Sequence, residues 1–117
     1  MNIETILTNY VACALWSSTD DNGDPLDANY TIDDIAPTTL TSMREDVANF
    51  INANKRMLIA GGLDDGQIGH DFWLTRNHHG AGFWDRGLGE VGNRLTHASH
   101  ACGEVYLYVG DDLKLHS

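Results

Sequence analysis

Apolar residues recur at helical spacing in three segments of the chain. In residues 2–16 they fall three or four positions apart and form one stripe, as on the buried side of an amphipathic helix. The same spacing follows Pro37, a residue suited to the first turn of a helix, and returns near the C-terminus, where Gly103 can act as a cap. The pattern predicts helices near residues 2–16, 37–55 and 88–102.

Alternation of apolar and polar residues indicates strands elsewhere. Residues 69–76 and 82–86 alternate on either side of a loop that contains glycine, which is typical of a β-hairpin. Valine and leucine alternate with tyrosine over residues 105–109, and residues 113–116 are a possible edge strand. The predicted order of elements is α-α-β-β-α-β, with a possible final β.

These elements together predict a single small α+β domain over residues 1–117. Its sheet is biased towards antiparallel pairing, contains the hairpin at 69–86 and is covered by the helices. At 117 residues and 42% apolar composition, the chain can build one core. We expect no membrane span, because no run of about 18 apolar residues exists, and no secretory signal. Two cysteines are too few for a disulfide scaffold, which favours a reducing cytoplasm.

The net charge of −10 restricts the class of partner. Phosphate backbones and anionic membrane surfaces would repel the chain, so direct binding to nucleic acid or to a membrane is not expected. A protein with a basic surface would instead be attracted. The loop around Asp20–Asp24 and Asp27 fails the calcium-loop pattern, since Pro25 and Thr31 occupy two of its required positions. It is either a solvated loop or part of an acidic docking face.

Residues with functional side chains are most concentrated in residues 70–86, which hold three of the six histidines and two of the three tryptophans. On the predicted hairpin, one tryptophan would stay partly exposed beside arginine and aspartate, as in a binding hot spot. In the alternative interpretation, aspartates 71 and 85 pair with arginines 76 and 86 while the aromatic rings simply pack. The candidate binding residues are His79, Trp84, Asp85, Arg76, Asp71 and Trp73.

Metal binding and catalysis have weaker support in the sequence. The histidines at 70, 78 and 79 match no established metal-ligand spacing, so no metal site and no cofactor are predicted. No serine or cysteine lies in a nucleophile motif. For acid–base chemistry the best pair is His79 with Asp71 or Asp85.

Four stretches carry a resemblance that covers nearly the whole chain: YVACALWSSTD (Tyr10–Asp20), YTIDDIAPTTL (Tyr30–Leu40), GHDFWLTRNHHGAGFWDRG (Gly69–Gly87) and YLYVGDD (Tyr106–Asp112). They resemble a family of small, uncharacterised proteins encoded by tailed bacteriophages, prophages and some plasmids. The resemblance implies a place in the host cytoplasm and no particular activity. His79 matches the histidine of the family motif, and His78 stands where the family commonly has glycine. If that glycine requires a positive φ, His78 is strained or the turn has adapted.

The phage setting favours one class of function. Small acidic phage proteins without a catalytic motif often occupy the basic surface of a host protein, such as restriction, CRISPR or replication machinery. We therefore expect an accessory protein that binds a host or defence-system protein, for example one that itself binds nucleic acid. His79 and Trp84 would make contact, Asp71 and Asp85 would orient them, and Arg76 would brace the hairpin. The alternative is a small enzyme or metal-dependent module centred on His79 with Asp71 or Asp85.

Overall fold

Four helices make up most of the structure, which is a computed structural model that describes all residues 1–117. The helices are α1 (Ile3–Ser17), α2 (Pro37–Ala60), α3 (Asp65–Arg76) and α4 (Glu90–Ala101). Short 3-10 turns lie at Leu26–Ala28, Ile32–Asp34 and Phe83–Asp85, and the strands are β1 (Tyr108–Val109) and β2 (Leu115–His116). The two strands pair antiparallel. The α+β class is thus confirmed, with a single domain built on one core of 22 buried apolar residues.

The helices predicted near 2–16, 37–55 and 88–102 are confirmed as α1, α2 and α4, although α2 continues to Ala60 and α4 begins at Glu90. In α1, the side chain of Asn2 accepts a hydrogen bond from the amide of Thr5 at 3.1 Å, which caps the first turn. Helix α2 begins at Pro37. Helix α4 ends before Gly103, whose φ of +79° lets the chain turn away. None of the helices is long and apolar enough to cross a membrane.

The predicted hairpin at 69–86 is wrong. Its first strand is helix α3, and its second is a loop that contains the 3-10 turn Phe83–Asp85. The helix starts with a capping box: Asp64 accepts from the amide of Gln67 at 2.8 Å, and the Gln67 side chain accepts from the amide of Asp64 at 3.1 Å. The apparent alternation had no structural meaning, because every residue from Ile68 to Arg76 except His70 is buried.

Helix α3 lies at the centre of the domain and packs most extensively on α1. Gly69 marks the crossing: a Cβ atom there would overlap the carbonyl oxygen of Ile6 and lie 2.8 Å from the amide nitrogen of Tyr10. Only glycine allows the two backbones to approach this closely. On another side of α3, the ring of Phe72 stacks on Phe50 from α2 with centroids 4.0 Å apart. The core is therefore formed by helices around α3 and not by a helix-covered sheet.

Candidate functional site

An ion pair with a buried carboxylate joins the two halves of the 70–86 segment. Asp71 is completely buried, and both of its carboxylate oxygens accept hydrogen bonds from Arg86, one from Nη2 at 2.9 Å and the other from Nε. The ring Nδ1 of His70 also lies 3.1 Å from the carboxylate. The hydrogen bond with Asp71 raises the pKa of Arg86, so the guanidinium stays charged. Asp71 therefore holds the loop after Phe83–Asp85 against α3.

Arg76 has an equally structural role. Its side chain is only 2% exposed and donates to the Tyr10 hydroxyl at 3.0 Å, to Asp46 at 2.8 Å and to two backbone carbonyls. Those carbonyls belong to Cys102 and Gly103, at 2.9 and 2.8 Å, just beyond α4. Burial alone would lower the pKa of Arg76, but Tyr10 and Asp46 together raise it. The predicted hairpin-bracing role is therefore wrong: Arg76 ties α3 to the other three helices.

The remaining polar groups of α3 have partners in the same way. The indole Nε1 of Trp73 donates to Ser17 Oγ at 2.8 Å, and the Thr75 hydroxyl accepts from the amide of Phe83 at 3.1 Å. Asn77 accepts from the amide of Val105 at 2.9 Å. No buried side-chain nitrogen or oxygen lacks a hydrogen-bond partner. This part of the segment is a packing core, as the alternative interpretation proposed, but of the Asp–Arg pairs it named only Asp71 with Arg86 forms.

The loop that follows α3 is exposed and strained. His78 and Ala81 have φ angles of +60° and +63°, a conformation that costs side chains other than glycine about 1–2 kcal/mol. His79 lies between them with its side chain in solvent. Beyond the loop, Trp84 is 53% exposed and Asp85 is exposed without a hydrogen-bonded side chain. Strained loops of this kind concentrate at functional sites, so these positions are the accessible part of the sequence-predicted site.

The angle at His78 leads to a stability prediction. Replacing His78 by glycine should raise the free energy of unfolding by about 1 kcal/mol, because glycine adopts a positive φ without strain. The substitution also removes the surface contacts of His78, which stacks on His100 with ring centroids 4.2 Å apart and has its Nε2 3.6 Å from Glu104. Urea unfolding measures the change, and His79→Gly, at a position without a positive φ, should destabilise or leave the domain unchanged. A loss of stability in His78→Gly would show that the histidine contacts outweigh the strain.

A pocket of about 250 Å³ opens beside this loop, between the end of α1 and the chain that leads into β1. Trp73 and Asn77 form its buried floor, and His79 and the 66%-exposed Tyr106 stand at its rim. We call it the aromatic pocket; its lining is Ser17, Ser18, Thr19, Trp73, Asn77, His79, Val105, Tyr106 and Leu107.

The structure brings only some of the predicted site residues together. His79 and Trp73 share the aromatic pocket, whereas Trp84 and Asp85 lie outside it on the 3-10 turn. No hydrogen bond or ion pair joins His79 to either candidate aspartate, and no three His, Cys, Asp or Glu side chains are grouped as metal ligands. Sequence reasoning missed Tyr106, although its alternation with apolar neighbours at 105–109 was a signal that its ring faces outward.

The surface next to the aromatic pocket is acidic, and the aspartates of residues 20–34 form no ion pair. Residues 1–43 contain no Lys, Arg or His, and their seven acidic residues are Glu4 and the aspartates at 20, 21, 24, 27, 33 and 34. We call residues 20–34 the acidic segment. Asp20 and Asp34 accept backbone hydrogen bonds, while the exposed carboxylates of Asp21, Asp24, Asp27 and Asp33 accept none. Of the seven basic side chains, arginines 44, 76, 86 and 94 are paired with carboxylates elsewhere, and Lys114 precedes Leu115, which bridges to Ile35 just after the acidic segment.

Comparison with known proteins assigns no function. No protein-family model matches the chain, and no curated protein or solved structure is significantly similar to it. The chemistry of the acidic segment and the aromatic pocket is therefore what points to a function.

Proposed function

We propose that this chain is a bacteriophage accessory protein that acts in the host cytoplasm by binding a basic surface of a host or defence-system protein. One observation carries the proposal: the acidic segment has exposed carboxylates that form no ion pair, and it follows directly on Thr19 in the lining of a pocket with exposed aromatic and imidazole side chains. The resemblance of the chain to small phage proteins supports the setting.

The acidic segment and the exposed aromatic side chains would contribute to binding in different ways. Exposed carboxylates steer a basic partner into the encounter and raise the association rate. Exposed aromatic side chains then supply anchors, because tryptophan and tyrosine are enriched among residues that dominate binding energy. Tyr106 and Trp84 are 66% and 53% exposed, and His79 stands at the pocket rim between the strained positions 78 and 81. If the partner normally binds nucleic acid, the basic residues that contact phosphates would contact these carboxylates instead.

The geometry gives less support to an enzyme or metal module centred on His79. Such a site would need Asp71 or Asp85 beside the imidazole, but Asp71 is buried against Arg86 and His70, and Asp85 forms no hydrogen bond or ion pair with His79. Catalysis by His79 would therefore lack the carboxylate that orients an imidazole base.

Capture from host lysate tests the proposal. The tagged wild-type protein is expected to retain a basic host protein that is identified by mass spectrometry. Loss of this protein with Asp24→Lys/Asp27→Lys, and its retention with Glu45→Lys/Asp111→Lys, would support the proposal, since both variants change the net charge equally. All four positions are exposed and make no side-chain hydrogen bond. Equal loss with both variants would show that only the total charge matters and would contradict an acidic docking face.

With the purified partner, Asp24→Lys/Asp27→Lys should lower the association rate about tenfold and leave the dissociation rate nearly unchanged. Charges at the rim of an interface act mainly on the encounter, and their effect weakens as salt rises. Biolayer interferometry at two salt concentrations measures both rates. A melting temperature equal to that of the wild type verifies folding, and an unchanged association rate would remove the acidic segment from the interface.

Trp84→Ala should show the opposite kinetic effect. If the exposed ring is an anchor, the variant dissociates about tenfold faster from the partner, because aromatic hot spots act mainly on the dissociation rate. Its melting temperature should fall by less than about 4 °C, since a ring that is 53% exposed contributes little packing. A large fall in melting temperature would instead identify Trp84 as part of the packing core.

A further inference from the structure

The outer face of α1 is unusual for a solvent-exposed helix surface because it lacks charge beyond its first turn. Thr5, Thr8, Ala12 and Trp16 are exposed and spaced three or four residues apart, so they form one stripe along the helix. The ring of Trp16, at the C-terminal end of this stripe, is 61% exposed. From Thr5 to Trp16 the stripe is about 16 Å long, or three turns.

An apolar groove runs beside the stripe, between α1 and the acidic segment. Val11 and Leu15, 1% and 6% exposed, form its floor, and the half-buried Tyr30 and Ile32 form its far wall. Its volume is about 350 Å³, and the exposed carboxylate of Asp27 stands at its rim. We call this feature the α1 groove. It is separate from the aromatic pocket and shares no lining residue with it.

We propose that the α1 groove is the docking site for a basic amphipathic helix of the partner protein, an inference that rests on the proposed function and specifies its partner chemistry. One apolar side chain of that helix inserts between Leu15 and Ile32, and a second packs on the ring of Trp16. Lysine or arginine side chains of the same helix face Asp24, Asp27 and Asp33. The three-turn length of the stripe matches the i, i+3/i+4, i+7 anchors with which such helices lie in grooves.

The negative charge around the α1 groove favours a basic helix over a second copy of the chain, a nucleic acid or a neutral helix. A second copy of the chain would bring another net charge of −10, and its own α1 groove would bring the same exposed aspartates. Nucleic acid would bring phosphates to the same carboxylates. A neutral apolar helix would fill the groove and leave Asp24, Asp27 and Asp33 without counter-charges.

Synthetic helical peptides of about 16 residues test the proposal by amide chemical shifts on the isotopically labelled protein. The probe carries leucine and tryptophan on one face and lysine and arginine on the flanks. One comparison peptide has the same composition in scrambled order, and another has glutamate in place of the basic residues. The probe should bind in a 1:1 ratio and shift amides at Thr8, Ala12, Trp16 and residues 30–32. The scrambled peptide should bind at least about tenfold more weakly, and the acidic peptide should not bind.

Two variants locate the binding to the groove. Trp16→Ala removes the exposed ring, and Ala12→Arg places bulk and a like charge in the stripe; each should weaken the probe about tenfold. Ile59→Ala is the matched control, because Ile59 is 62% exposed on α2 and lies outside the groove, and this variant should bind as the wild type does. Ala12 and Trp16 are both exposed, and melting curves verify that the two variants fold.

Several results would overturn the proposal. Equal affinity for the probe and the scrambled peptide would mean attraction by charge alone, without a groove. Amide shifts confined to the aromatic pocket would place the peptide elsewhere. A dimer of the wild type in sedimentation velocity that dissociates in Trp16→Ala would identify a second copy as the occupant. If the captured host partner still binds Trp16→Ala and Ala12→Arg but not Asp24→Lys/Asp27→Lys, the groove is wrong while the proposed function stands.

Discussion

Replacing Gly69 by alanine should lower the free energy of unfolding by about 3 kcal/mol or more, or prevent folding altogether. The added methyl group would overlap the carbonyl oxygen of Ile6 and lie 2.8 Å from the amide nitrogen of Tyr10. Both obstacles are backbone atoms of α1, so no side chain can rotate away, and the two central helices must separate. Urea or thermal unfolding followed by circular dichroism measures the loss.

Gly66→Ala is the matched control on the same helix. Its Cβ atom would lie 3.4 Å or more from all neighbouring side-chain atoms, which is ordinary van der Waals contact. Alanine is a better helix former than glycine, so this variant should be more stable by up to about 1 kcal/mol. If Gly69→Ala were as stable as the wild type, the close crossing of α1 and α3 would be incorrect.

Replacing Arg86 by methionine should cost about 3 kcal/mol of folding free energy, because it leaves the completely buried carboxylate of Asp71 without its cation. Asp71→Asn should cost less. The side chain of Arg86 is 29% exposed and can turn towards water when its partner is neutral, whereas Asp71 cannot reach water. Chemical denaturation of both single variants gives the two free energies.

The double variant Asp71→Asn/Arg86→Met separates the ion pair from packing. If the two side chains interact as the structure shows, the loss in the double variant should be smaller than the sum of the single losses by at least about 1 kcal/mol. Additive losses would mean that the two residues stabilise the domain independently.

The fold could be predicted from sequence wherever a helix has one buried side. Helices α1, α2 and α4 show a stripe of apolar residues, and caps such as Asn2, Pro37 and Gly103 mark their ends. Helix α3 is surrounded by the rest of the domain, so it has no polar face and no helical period to detect. The capping box of Asp64 and Gln67 was the one local signal for its start.

The candidate site was predictable only at its exposed positions. His79 and Trp84 are accessible, as expected for contact residues, while Trp73 and Arg76 are buried, because their hydrogen-bond partners come from distant segments. The aromatic pocket could not be predicted either, because its walls come from segments that are far apart in sequence. They are the end of α1, the loop after α3 and the chain before β1. Periodicity reports the environment along one element and carries no information on which elements meet.

The most direct test of the proposed function compares a captured basic partner with free nucleic acid in one binding experiment. The wild-type protein is titrated against the purified host protein and against double-stranded DNA and RNA, each at low and at physiological salt. We expect saturable binding to the protein, with an association rate that falls as salt rises, and no measurable binding to either nucleic acid. Tight binding of the wild type to bare DNA or RNA at physiological salt would contradict the account.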